Sequence, residues 1–135
     1  DLGEFQEALE LHENTLLSRE EVLGDSHPDV LKSGFYIACC KCALNQESEG
    51  EELHRKVLQL RRSLLGEDHP DTLRSYFELA FLLSSFSQLE EAMNLAVTAS
   101  DGFASALGPD HPETINAVSL MERIRERDIG PASKV

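Results

Sequence analysis

The chain of 135 residues is long enough to bury one core of ordinary size, and its 25 acidic against 12 basic residues give a net charge of −13. Such a balance argues against nonspecific nucleic-acid binding, which depends on Lys and Arg side chains that neutralise phosphates. The sequence has neither the roughly 18 consecutive apolar residues of a membrane helix nor a signal-peptide pattern. We therefore expect no nucleic-acid partner and no membrane partner.

Apolar residues recur with the helical period of 3.6 residues in six segments, and no alternating strand pattern occurs between them. The first helix is predicted over about residues 3–23, with Phe5, Ala8, Leu9 and Leu11 facing inward and Gly24 ending it. Its acidic residues indicate a solvated face, and the alternative is a contact for a preceding repeat or a basic partner. They are Glu4, Glu7, Glu10, Glu13, Glu20 and Glu21.

The second and third helices are predicted over about residues 28–45 and 48–65. Cys39, Cys40 and Cys42 lie in the second helix, where an odd number of crowded thiols favours reduced, partly buried side chains over a disulfide framework. A Cys39–Cys42 half-site lacks the second ligand pair that zinc requires, so we expect no metal and no cofactor. Gly50 weakens the third helix, which we expect to begin late or bend.

The fourth, fifth and sixth helices are predicted over about residues 70–86, 88–107 and 112–128. In the fourth helix Leu73, Phe77, Ala80 and Phe81 form the apolar stripe of an amphipathic helix. The sixth carries Ile115, Val118, Leu120, Met121 and Ile124 as its predicted inward face. Residues 131–135 have no periodicity, and a frayed tail is expected there.

Three short stretches share one pattern: LGDSHPDVL, LGEDHPDTL and LGPDHPETI, with their histidines 42 residues apart. In each, Gly stops one helix, and the His-Pro-acid sequence starts the next with an N-cap, an N1 proline and a charge that complements the helix dipole. Three equal copies indicate architecture rather than a single catalytic site. The predicted corner residues are Gly24, His27, Pro28, Gly66, His69, Pro70, Gly108, His111 and Pro112.

Other stretches carry a family resemblance. GEFQEAL (residues 3–9) and QLEEAMNLAVTA (residues 88–99) resemble the second-helix opening of tetratricopeptide repeats (TPRs), and ELA (residues 78–80) resembles the first-helix pair. The 42-residue period with its LG-x-x-HP link is similar to kinesin light chain repeats, which also occur in nephrocystin-like and NOD-like STAND proteins. The resemblance implies an all-α, right-handed solenoid of antiparallel helix pairs over residues 1–130, as one array. Because the chain begins at Asp1 inside a helical pattern, we expect a fragment of a longer array with neighbouring repeats.

The resemblance further implies a groove lined by the first helix of each repeat. Asparagines that clamp a peptide in kinesin-light-chain-like grooves are replaced here by Tyr36, Glu78 and Leu120. The remaining aromatic and basic residues predict a partner segment with an acidic residue near an apolar one. The alternative is that the cations merely pair with neighbouring carboxylates. The predicted partner-binding residues are Lys32, Tyr36, Cys39, Arg74, Glu78, Phe81, Asn116, Leu120 and Arg123.

The predicted function is that of a cytoplasmic adaptor or scaffold that binds a protein or peptide. The sequence lacks the nucleotide-binding, metalloprotease and serine-hydrolase motifs, so no enzyme activity is expected. His12 and His54, also 42 residues apart, are predicted at polar surface positions. The alternative function is the sensor or oligomerisation region of a STAND ATPase, without peptide binding of its own.

Overall fold

The computed structural model describes the backbone of residues 2–23 and 27–129 and the side chains of residues 2–15 and 27–127. All regular structure in these ranges is α-helical. The predicted helices agree with those observed to within two residues at each end. They are α1 (Leu2–Leu23), α2 (Pro28–Ala43), α3 (Glu47–Leu65), α4 (Pro70–Ser85), α5 (Leu89–Leu107) and α6 (Pro112–Ile129).

The chain divides into two compact units, Asp1–Glu67 and Asp68–Val135. In the first unit, α2 packs against both α1 and α3. In the second, α5 packs against both α4 and α6, and α4 touches α6. The arrangement of residues 1–130 as one right-handed array stays a prediction.

The core of the first unit contains a cluster of Leu9, Ile37 and Cys40, with Ala8, Leu44 and Leu53 packed against it. In the second unit, small side chains let α5 lie close to its neighbours, since Ala92, Ala96 and Ala99 are fully buried. The stripe predicted on α4 is buried at Leu73 and Ala80, whereas Phe81 is exposed. Burying these apolar faces supplies the main driving force for folding.

Several residues predicted to face inward are exposed on the first and last helices. Phe5 and Leu11 on α1, and Ile115 and Val118 on α6, are all at least 40% exposed. The reason is positional: α1 packs against α2 alone in its unit, and α6 packs mainly against α5, so each helix buries only part of its apolar surface.

Each corner residue that the structure describes has a definite local role. Gly66 and Gly108 have φ angles of +94° and +95°. Residues with a Cβ atom strongly disfavour this region, so glycine is the residue suited to both positions. Nδ1 of His27, His69 and His111 accepts a hydrogen bond from the backbone N–H of Asp29, Asp71 and Glu113, at 3.0 to 3.2 Å. Pro28, Pro70 and Pro112 are the first residues of their helices, whereas Gly24 and the predicted tail, 131–135, lie outside the described residues.

The helix around Gly50 differs from the prediction. The helix α3 begins at Glu47 and includes Gly50, so the expectation of a late start is wrong. A Cβ atom added at Gly50 would lie 2.4 Å from Cys42 Sγ and 3.1 Å from the Ala38 carbonyl oxygen. The glycine therefore allows a close approach of α3 to α2. The chain reverses between these helices at Asn45, whose φ is 63°; Ser87, one repeat later, has a φ of 62°.

Candidate partner-binding surface

The predicted partner-binding residues differ widely in exposure. On α2, Lys32 and Tyr36 are exposed and Cys39 is half-buried. On α4, Arg74 and Glu78 are half-buried, and 45% of Phe81 is exposed. Asn116 and Arg123 on α6 are exposed. The residues of α4 and α6 lie on touching helices of one unit, while those of α2 belong to the other. A single groove that includes both sets stays a prediction.

Leu120 does not belong to an accessible surface. Only 2% of this residue is exposed, so the prediction that it contacts a partner is wrong. The side chain is part of the core of the second unit, together with Ile124 one turn later on the same helix. An apolar residue at helical spacing usually serves packing, and Leu120 follows that rule.

Arg74 is held by two carboxylates of its own unit. Its Nε and Nη2 atoms donate to the two oxygens of Glu113 at 2.8 and 2.7 Å, and its Nη1 donates to Asp71 at 2.6 Å. The Glu113 hydrogen bond is the main cause that raises the pKa of Arg74 above its usual value, with the Asp71 bond adding to it against the effect of burial. A planar guanidinium is suited to such a two-point bond. Arg74 therefore joins α4 to α6, and its charge is already matched by carboxylates.

Glu78 lies one helical turn after Arg74 but makes no bond to it. Among the residues that the structure describes, the Glu78 carboxylate has no hydrogen-bond or ion-pair partner. Burial without a compensating charge raises the pKa of this carboxyl. Phe81, at the i+3 position, presents its ring on the same side of the helix. This side of α4 thus combines a half-buried acid, which has no partner among the described residues, with an exposed aromatic ring.

The first unit has a cluster of rings around one guanidinium that the sequence did not indicate. Tyr36 stacks on His12 with ring centroids 5.3 Å apart, and Phe35 meets the ring of His54 edge-on at 5.5 Å. The Arg61 guanidinium lies 4.8 Å from the Phe35 centroid, a distance typical of cation–π contact. One face of the Tyr36 ring therefore packs on His12, while 42% of the residue remains exposed.

His54 corrects the prediction of a polar surface position. It is 1% exposed, and its Nδ1 atom has no hydrogen-bond partner. Burial, and secondarily the charge of Arg61, lower its pKa to about 4, so the ring is neutral in the folded protein at pH 7. His12, one repeat earlier, is only half-buried. Helical spacing could have suggested the burial, because His54 lies three residues before the buried Val57.

The described acidic residues of α1 lie on the surface, and the three cysteines are buried or half-buried. Glu4, Glu7, Glu10 and Glu13 are exposed, while the side chains of Glu20 and Glu21 lie outside the described residues. Cys39, Cys40 and Cys42 form no disulfide. In the ranges with described side chains, no group of three or more His, Cys, Asp or Glu residues could hold a metal. No described helix is long and apolar enough to cross a membrane.

Comparison with known proteins identifies the repeats. Tetratricopeptide repeat models match residues 34–103 and residues 1–29. No curated protein sequence matches the chain. Crystal structures of the nearly identical TPR-like repeats of a kinesin light chain candidate from Podosopora anserina, and of a single-residue variant of those repeats, are similar to this chain. Each is 30% identical and covers 90% of the chain, with TM-scores of 0.83 and 0.82.

A third structure, BtubC (BKLC) from P. vanneervenii, is 16% identical over 98% of the chain with a TM-score of 0.76, which shows likeness of fold alone. The chain spans 58%, 57% and 57% of the lengths of these three structures. The predicted all-α helical-repeat fold is confirmed. The match over residues 34–103 covers more than half of the sequence, and the chain belongs to the tetratricopeptide repeat family, with repeats of the kinesin light chain type.

Proposed function

We propose that the chain is a non-catalytic interaction module that binds a segment of another protein along the first helices of its repeats. Tetratricopeptide repeats serve generally as protein-interaction scaffolds, which supports the proposal at the level of the family. The observation that carries it for this chain is the exposed ring of Phe81 on α4. Aromatic side chains are common anchors of interfaces, because they bury a large area with few rotatable bonds.

The partner contains an apolar residue that covers Phe81. The sequence also predicts an acidic residue in the partner. Arg74 no longer supports that preference because Glu113 and Asp71 already bind it. The acidic preference now depends on Lys32 and Arg123, which are both exposed.

The test is a peptide array, followed by affinity measurements on the peptides that bind. Phe81→Ala should weaken binding by about tenfold or more, the usual effect of losing a central aromatic anchor. Phe86→Ala is the matched control, since Phe86 is exposed to a similar degree but caps the end of α4 outside the predicted surface. Equal affinities of both variants and the unmodified chain would contradict the proposed surface. Failure to bind any peptide would favour the alternative of a STAND sensor region.

A cytoplasmic adaptor role is part of the proposal. It is supported by the three cysteines, which form no disulfide, as expected in a reducing compartment. Labelling of accessible thiols in intact cells, compared with lysed cells, would test the location.

A further inference from the structure

Position 78 carries a charge where the other repeats carry none. The positions 42 residues before and after Glu78 are Tyr36 and Leu120, so the repeat places an uncharged side chain there twice out of three times. Leu120 shows that the position can be fully buried in the core. A carboxylate at this site is therefore not required by the fold of the repeat.

The Glu78 carboxylate is costly to the folded chain. The residue is half-buried, and no other described residue donates a hydrogen bond to it or pairs with its charge. Arg74 lies at i−4, where a favourable pair could form, but Asp71 and Glu113 bind its guanidinium from other directions. Burying a charge without a partner is unfavourable, and unpaired groups of this kind are found at functional sites more often than elsewhere.

The neighbourhood of Glu78 favours a positively charged ligand. Two carboxylates surround the Arg74 guanidinium, and Glu78 adds a third negative charge. Arg127 of α6 also touches α4, but it binds the Ser84 carbonyl near the end of the helix. The whole chain carries a net charge of −13. The exposed ring of Phe81 stands one turn later on the same side of the helix. Attraction between opposite charges directs the choice and the orientation of a partner.

We propose that Glu78 is a recognition residue that binds an arginine or lysine side chain of the partner, next to an apolar side chain that packs on Phe81. The proposal rests on the proposed function and specifies it. The partner's cation supplies the missing counter-charge, so binding removes the cost of leaving Glu78 unpaired. At α4 this preference replaces the acidic one predicted from the sequence.

The first experiment measures charge preference directly. Three peptide libraries place Arg, Gln or Glu next to a Leu within otherwise identical degenerate sequences, and their binding to the 135-residue chain is compared at low salt. We expect the Arg peptides to bind at least about tenfold more tightly than their Gln counterparts. Glu78→Gln should remove that difference while retaining apolar binding. Glu122→Gln is the matched control, because it removes an exposed acid of α6 and should preserve the preference.

The outcomes separate this inference from the proposed function. If the chain binds the Glu peptides best, or all three libraries equally, the module still binds peptides but Glu78 is not its recognition residue. If no library binds, the proposed function fails and this inference fails with it. A preference for Arg that survives in Glu78→Gln would also overturn the assignment.

A stability measurement gives a second, independent readout. Glu78→Leu installs the residue found at position 120, which removes the unpaired carboxylate and fits the burial of that position. We expect this variant to melt at a higher temperature than the unmodified chain and to lose the Arg preference, since recognition residues often reduce stability. A lower melting temperature with the preference intact would show that Glu78 serves the fold, and would overturn the proposal.

Discussion

At the scale of single residues, the repeats show where this chain departs from its own pattern. His54 and Glu78 are ionisable side chains with buried or half-buried positions, and in both cases burial shifts the pKa in the direction that favours the neutral form. Position 96, one repeat after His54, holds a fully buried Ala. Neither ionisable residue is required by the architecture, so each gives its unit a property that can be measured.

His54 should make folding sensitive to mild acid. The unfolded chain protonates this ring near its ordinary pKa of 6.5, whereas the folded chain resists protonation until about pH 4. The unfolded state thus binds more protons between these values, and stability falls as the pH drops through this window. Between pH 7 and pH 5 the loss should be about 2 kcal/mol. Urea unfolding at both pH values should show that His54→Gln loses less stability over this interval, and equal losses would disprove the linkage.

Gly50 and Cys42 should be energetically coupled. Gly50→Ala would favour the helix by about 1 kcal/mol, but the new Cβ would meet Cys42 Sγ and the Ala38 carbonyl, and such overpacking commonly costs about 1–3 kcal/mol. We expect a net loss. The equivalent positions one repeat later are Ala92 and Ser84, a larger residue matched by a smaller one.

A double-mutant cycle tests this compensation. Adding Cys42→Ser to Gly50→Ala should recover part of the lost stability, because the smaller oxygen makes room for the new methyl group. Cys39→Ser, on the same helix, serves as the control and should recover none. Strictly additive effects would mean that the Ala38 carbonyl, and not Cys42, is the contact that opposes a Cβ atom at position 50.

At the scale of helices, periodicity predicted all six elements, because in each one apolar residues recur at helical spacing over a long segment with clear start and stop residues. The three His-Pro corners are local in sequence, so a short pattern such as LGPDHPETI contains nearly all of the relevant contacts. Arg74 makes two kinds of bond that differ in how well the sequence predicts them. Its bond to Asp71 has the i,i+3 spacing of a helix, whereas its bond to Glu113 joins residues 39 positions apart, which no local pattern indicates. The burial of His54 and Leu120 depends on packing between helices, which periodicity indicates but does not determine. The same dependence on packing explains why Phe5, Leu11, Ile115 and Val118, which periodicity predicted to face inward, are exposed.

The corner before α6 should tolerate some changes and not others. His111→Asn should preserve stability, because the Asn side-chain oxygen can accept the Glu113 N–H bond that Nδ1 now accepts. His111→Ala should cost about 1 kcal/mol through loss of the cap. Gly108→Val should cost more, roughly 1–3 kcal/mol, because a β-branched residue is strained at a φ of +95°. Thermal melts that rank Gly108→Val as the mildest change would contradict this account of the corner.

At the scale of the whole molecule, the charge is unbalanced beyond what its ion pairs can offset. The described pairs include Lys41–Glu49 at 2.9 Å, Arg55–Glu51 at 3.0 Å and Arg62–Glu67 at 2.6 Å, and each has at least one partner whose side chain is partly exposed. Exposed pairs of this kind contribute about 0–1 kcal/mol each. With 25 acidic and 12 basic residues, even complete one-to-one pairing would leave a net charge of −13 that no cation of the chain offsets.

The whole chain should therefore become more stable as salt is added. Salt weakens the exposed pairs, but it also screens repulsion among the excess carboxylates, and with a net charge of −13 the second effect should dominate. We expect the melting temperature at pH 7 to rise between about 20 mM and about 300 mM NaCl, over which the Debye length falls severalfold. Choline chloride should give the same rise if screening, rather than a bound cation, is responsible. A falling melting temperature in both salts would show that attractive contacts such as the Arg74 bonds outweigh the repulsion.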